Sequence, residues 1–232
     1  MSEHIVKQFD ADLENIRSRV LQMGGLVEQQ IVNAMEGLTG GDLTLIEQTI
    51  ANDDRVNRQE VELDEACTNI IARRQPTAVD LRMVMMVVKT ITDLERIGDE
   101  AKKIAKKARS IHGAETRFVP RLELRHVASL AIAMLRKALD AFARIDLTAA
   151  AQVVRQDREV DAEFKSITRQ LITFMMEDPR TISRSLELLF IAKSIERIGD
   201  HAKNISEYVV YMAKGRDVRH IGLAEIEKEV AS

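Results

Sequence analysis

The pentapeptide Glu-Arg-Ile-Gly-Asp occurs twice in this chain, at 95–99 and again at 196–200, both times in helix-forming sequence. Each copy sets two carboxylates at i and i+4, one turn apart on the same helix face. Like charges at that spacing repel by a few tenths of a kcal/mol, roughly. A glycine in a helix interior costs about 1 kcal/mol relative to alanine. A chain that repeats both penalties in one register must offset them. A cation bound between the acids would do so. Neutralisation by Arg96 and Arg197, with the glycines admitting close helix packing, is the alternative; matched copies favour the cation.

The duplication reaches well beyond the pentapeptide. Asp42-Leu43-Thr44 returns as Asp146-Leu147-Thr148, 104 residues on, and Asp53 and Asn57 return as Asp157 and Asp161 at that same offset. Pro76 matches Pro179 at 103, and Glu95 matches Glu196 at 101, so a few residues have been lost along the second copy. A period of this length is too long for a solenoid repeat and suits two tandem domains. The expected division is 1–112 and 113–232, with the boundary at His112-Gly113-Ala114-Glu115, Pro120 just beyond it, and a short charged tail after Lys214-Gly215.

Within each copy the apolar residues keep helical time. Ile5, Phe9, Leu13, Ile16, Val20, Met23, Val27, Ile31, Ala34 and Leu38 alternate steps of three and four, a seam ended by Gly40-Gly41 and interrupted, with a bend expected, at Gly24-Gly25. Asp42 reads as the N-cap of a second helix that Pro76 stops. Thr77 with Asp80 reads as a capping box for a third, running to about Ser110. Val127, Ala131, Met134, Ala138, Ala141 and Ile145 form the matching seam in the second copy, and a short helix is expected near 223–230. The fold class is therefore all-α, two tandem three-helix bundles.

With 45% apolar and 31% charged residues and only 10 Gly and 3 Pro, the composition is that of long amphipathic helices. A net charge of −3 argues against a dedicated nucleic-acid binder. The lone Cys67 rules out an intrachain disulfide, fits a reducing compartment, and in helical sequence reads as core. No apolar signal region opens the sequence, and the apolar run at 83–88 falls far short of the ~20 residues that span a bilayer. A soluble, cytoplasmic protein is expected, able to dock on membrane partners. The run Lys102, Lys103, Lys106, Lys107, Arg109 reads as a solvated last turn.

The two copies together select the acids. Asp53/Asp157, Asn57/Asp161, Glu95/Glu196 and Asp99/Asp200 are acidic, or nearly so, in both. Glu60 and Asp64 extend the stripe in the first unit; Asn204 and Glu207 extend it in the second. Antiparallel neighbours bring two i, i+4 pairs face to face, offering up to four oxygen ligands to one site. An oxygen-only donor set suits hard cations, Fe(III), Mn, Mg or Ca, better than structural zinc. Asn57 removes one charge from the first site, so the second is expected to bind more readily. The Glu-x-x-His scheme of ferritin-like di-iron proteins appears once only, at Glu123 and His126, and His201 reads as a surface histidine. No Gly-x-Ser-x-Gly, no P-loop and no dinucleotide fingerprint is present.

Two three-helix units, each carrying Glu-Arg-Ile-Gly-Asp, with Arg73-Arg74-Gln75-Pro76 before the first copy and Met176-Glu177-Asp178-Pro179-Arg180-Thr181 before the second, resemble the PhoU family from about Phe9 through Ile221. The resemblance implies carboxylate-rich metal sites at Glu95, Asp99, Asp157, Asp161, Glu196 and Asp200, with Asp53 and the departing Asn57 completing the first. The expected cofactor is a multinuclear metal: iron, manganese, magnesium or zinc. The resemblance also implies a non-enzymatic negative regulator of phosphate-starvation signalling. Its expected partners are the high-affinity phosphate ABC transporter and the phosphate-sensing histidine kinase, contacted at the inner face of the membrane. A homodimer and no nucleic acid complete the expectation. A carboxylate-bridged metalloenzyme, a phosphohydrolase or oxidase, is the competing reading.

Overall fold

The computed structural model describes residues 2–113, 122–219 and 221–231, with side chains from 8 to 229. Six long helices build two units: α1 (Ser2–Gly40), α2 (Leu43–Arg74) and α3 (Ala78–His112) form the first. α4 (Leu124–Arg144), α5 (Leu147–Glu177) and α6 (Ile182–Lys214) form the second, and a short α7 (Leu223–Ala231) packs back on α5. No strand occurs among the described residues. Ala114, Glu115 and Pro120 of the expected boundary, and the side chain of Ile5, lie outside what is described.

The punctuation is local chemistry. Asp42 accepts a hydrogen bond from the Leu45 amide, and Asp146 from the Ala149 amide, so both copies of Asp-Leu-Thr cap a helix through their aspartate. α1 ends at Gly40, and Gly41 takes the left-handed conformation at φ +72° that an L side chain rarely adopts. α2 closes on Gln75 in the left-handed region ahead of Pro76, and α5 ends at Glu177 before a 3-10 turn, Pro179–Thr181. The capping box at Thr77 does not form: its backbone is extended, but its side chain makes no cap hydrogen bond. Ile145 leaves its seam to become the exposed left-handed residue after α4.

The seams are core as expected. Ile16, Val20, Met23, Val27 and Ile31 of α1 are buried against α2 and α3, and Val127, Ala131, Met134 and Ala138 of α4 against α5 and α6. Each fully buried Val, Leu or Ile contributes about 1.5–3 kcal/mol of apolar transfer. Cys67 is buried, and burial pushes its thiol up to about 12, which makes it an inert core residue.

Two contacts join the units. α1 meets α4, and α3 runs antiparallel to α6, so that Asp93 near the middle of α3 reaches Tyr208 while Lys107 near its end reaches Glu187. α1 continues unbroken through Gly24-Gly25. A Cβ at position 24 would fall 2.5 Å from Leu139 Cδ1 of α4, so the close approach of the other unit occupies the space a side chain there would need. No helix among the described residues is long and apolar enough to cross a membrane.

Candidate metal centres

In the first unit Asp53, fully buried on α2, faces α3. Lys102 Nζ lies 2.6 Å from its Oδ2, and Asn57 Nδ2 donates to the same oxygen at 3.4 Å. Glu95 carries a raised pKa because burial disfavours its charge and because Asp99, Glu60 and Asp53 add negative potential. Glu60 is raised for the same first reason, with Asp64 adding to it. The expected acids of α2 and α3 therefore share one electrostatic neighbourhood. Glu60 belongs to it, returning the negative charge that Asn57 withholds.

The second unit repeats the arrangement. Lys203 Nζ lies 2.8 Å from Asp157 Oδ2, and Lys193 holds Glu196 at 2.5 Å. Burial, and then the charges of Glu196 and Asp157, push Asp200 up to about 6. Burial likewise pushes Glu207 up to about 7, against the pull of Lys203 and with Asp157 adding to the rise. Asp161 is half-buried one turn along from Asp157.

The lysines are the residues the sequence reading passed over. Lys102 is not part of a solvated last turn; it is a counterion for a buried carboxylate, and its neighbours Lys103, Lys107 and Arg109 pair with Glu100, Glu187 and Glu47. The signal was in the sequence: the doubled motif extends three residues further, as Glu95-Arg-Ile-Gly-Asp-Glu-Ala-Lys102 and Glu196-Arg-Ile-Gly-Asp-His-Ala-Lys203. Contact with Asp53 holds the Lys102 pKa above its ordinary value. Burial works against the charge of Lys203, yet the hydrogen bond and charge of Asp157 keep it raised as well.

As the side chains stand, no three His, Cys, Asp or Glu residues among those described converge closely enough to hold a metal ion. Each ammonium group contacts the buried carboxylate that a bound cation would neutralise. The donor chemistry nevertheless fits a hard cation. Asp53 Oδ1 and Asn57 Oδ1 are buried oxygens with no hydrogen-bond partner, and the raised Asp200 and Glu95 mark carboxylates short of positive charge. The arginines of the pentapeptide are not the neutralisers: Arg197 pairs with Glu100 instead, and Arg96 is exposed, though close enough to lower Glu95.

The glycines divide. A Cβ on Gly98 would meet Gln30 Oε1 of α1 at 3.1 Å and Val56 at 3.4 Å, whereas one on Gly199 would meet Val160 at an ordinary 3.5 Å. Gln30 is buried with both amide atoms unpartnered, beside the first site, where the second unit has Met134. Two further residues escaped the sequence reading. His201 is not a surface residue but is buried, its Nδ1 2.7 Å from Asp93 Oδ1. Asp93 also accepts from the Tyr208 hydroxyl at 2.7 Å and from Asn204 Nδ2 at 3.2 Å, so Asn204 serves the contact between units rather than the acid stripe.

Two like three-helix units, packed through α3–α6 and α1–α4 and each burying a lysine-countered carboxylate cluster, define a duplicated, acid-bearing helical-bundle protein. The sequence model described as the PhoU domain matches this chain twice, over residues 20–108 and 124–209. The chain belongs to the PhoU family. A relative from Pseudomonas aeruginosa, named phosphate-specific transport system accessory protein PhoU homolog, is 48% identical over 99% of this chain and 95% of its own. The phosphate-specific transport system accessory protein PhoU of Escherichia coli K12 is also 48% identical, over 100% of this chain and 95% of its own. The crystal structure of PhoU from Pseudomonas aeruginosa superposes with a TM-score of 0.86 at 47% identity, covering 90% of this chain and all of that one.

Proposed function

We propose that this protein is a regulatory accessory of phosphate transport, and that it acts as a cytoplasmic adaptor. In this role it links the high-affinity phosphate ABC transporter to the phosphate-sensing histidine kinase and limits uptake when phosphate is plentiful. The observation that carries the accessory role is the near full-length likeness, in both units, to proteins named for the phosphate-specific transport system. The adaptor role is supported by the build of the chain. A signal carried by helical surfaces needs two arrangements whose balance a partner biases. Two units joined along α1–α4 and α3–α6 supply surfaces that can shift against one another. The protein acts without catalysis in this reading, as a homodimer docked on its membrane partners.

The carboxylate clusters bind metal in the same proposal. Asp53, Asn57, Glu95 and Asp99, with Glu60, hold it in the first unit; Asp157, Asp161, Glu196 and Asp200 hold it in the second. A metal bound there would supply the positive charge that Lys102 gives Asp53 and Lys203 gives Asp157. With ligands on both helices of each unit, it would tie α2 to α3 and α5 to α6. Deleting the gene in its own bacterium tests the proposal: phosphate-starvation genes switch on in phosphate-replete medium, and re-expression silences them. Starvation genes that stay silent in the deletion strain overturn the adaptor.

A further inference from the structure

The antiparallel α3–α6 pair has an internal near-two-fold relation, because residues 101 apart in the two repeats face one another's partners. Lys89 lies over the Tyr208 ring, 5.6 Å from its centre, and the repeat-related pair, Lys107 over Phe190, lies at 4.9 Å. Asp93 in the first repeat corresponds to Ser194 in the second, and the three residues that donate to Asp93, namely His201, Asn204 and Tyr208, correspond to Glu100, Lys103 and Lys107. One end of the seam is thus complete: a buried carboxylate receives three hydrogen bonds across the units. At the other end the carboxylate has been replaced by a serine.

A cavity of about 350 Å³ opens there, lined by Glu100, Lys103, Lys107, Phe190, Lys193, Ser194 and Arg197. Four cationic side chains surround one buried carboxylate. Glu100 takes Lys103 at 2.9 Å and Arg197 at 3.3 Å, while Lys107 pairs with Glu187 at 3.0 Å and Lys193 with Glu196 at 2.5 Å. All four cations are a third to a half exposed. The carboxylates Glu100 and Glu196 are far less exposed, at 3% and 12%, so their ion pairs stay in place when an anion enters. An ammonium carries three N–H donors and a guanidinium five, so each cation has donors beyond those its carboxylate takes, and several converge on the cavity for charge-assisted hydrogen bonds to an anion.

We propose that this cavity binds a small tetrahedral oxyanion, inorganic phosphate or a phosphate monoester, at the place where Asp93 stands in the related half of the seam. Ser194 leaves room for the anion. Lys103, Lys107, Lys193 and Arg197 ligate it, and the exposed ring of Phe190 forms an apolar wall against which an ester's organic group rests. Bound there, the anion bridges α3 of one unit to α6 of the other. It adds to the contacts between the units already made there by Arg197 with Glu100 and by Lys107 with Glu187. The site stands on its own geometry and holds whether or not the adaptor reading above is right.

The test is calorimetric titration of the chelator-treated full chain with inorganic phosphate and, separately, with adenosine monophosphate. At least one of the two binds. Arg197→Gln and Lys103→Gln, both at half-exposed positions, each weaken that binding at least about tenfold while the circular dichroism spectrum is unchanged. Ser194→Asp, which installs the carboxylate of the related position, abolishes it, and Lys106→Gln, outside the cavity, leaves it intact. Tighter binding of the monophosphate assigns the site to an ester; tighter binding of phosphate assigns it to the free ion. Two silent titrations up to about 10 mM overturn the proposal. So does binding that survives both Arg197→Gln and Lys103→Gln, whether or not Ser194→Asp folds.

Discussion

Replacing Asp200 by asparagine should stabilise the metal-free protein. The side chain sits among Glu196 and Asp157, and burial together with those charges raises its pKa from 3.8 to about 6. The native state therefore binds its proton more tightly than the unfolded chain does. Stability from this group is fully present below 3.8 and is lost as pH climbs through about 6. The full shift corresponds to about 3 kcal/mol, and solvent screening of a half-buried group reduces it to about 1 kcal/mol. Asp200→Asn removes this penalty without changing the size of the side chain. In urea titrations of chelator-treated protein at about pH 8, the variant should exceed the wild type by about 1 kcal/mol, or about 2–4 °C in melting temperature. The gap should close as pH falls to about 4. Saturating Mn²⁺ should reverse the order, because ligand at a hundredfold excess over its Kd adds about 2.7 kcal/mol to whichever form binds it. A variant no more stable than the wild type at about pH 8, or a gap that ignores pH, would refute the account of Asp200 as a carboxylate held short of positive charge.

Lys203→Met should cost the metal-free protein about 2 kcal/mol, since it leaves buried Asp157 without its counterion, and Mn²⁺ should recover the loss; denaturant titration with and without metal checks both. Gly199→Ala should raise stability by up to about 1 kcal/mol because its Cβ meets only ordinary contacts, whereas Gly98→Ala should gain nothing as its Cβ presses on Gln30. Paired thermal melts decide this, and equal gains at both positions would sink the packing argument for Gly98.

Much of this protein is written along the chain. The i, i+3, i+4 seams, the capping aspartates Asp42 and Asp146, and the stops at Gly40, Pro76 and Pro179 are local signals, legible because helix geometry repeats every few residues. The duplication did the rest. Asp53, Glu95 and Asp99 of the first copy, and Asp157, Glu196 and Asp200 of the second, each share one electrostatic neighbourhood across neighbouring helices, because two units of one fold place matching residues alike. The repeated Lys102 and Lys203 were equally available to that comparison, and reading the lysine run as a solvated face hid them. What the tertiary structure alone decided is what the two copies do not share. Asp93 with His201, Asn204 and Tyr208 joins one unit to the other, and such a contact is made between different positions of the two repeats. Comparing repeats therefore discards it: Asp93 aligns with Ser194 and His201 with Glu100. Gln30, aligned with Met134, is lost in the same way. A repeat reveals what each unit needs for itself; the seam between units and the cavity within it depend on how the two were packed together, which no local period encodes.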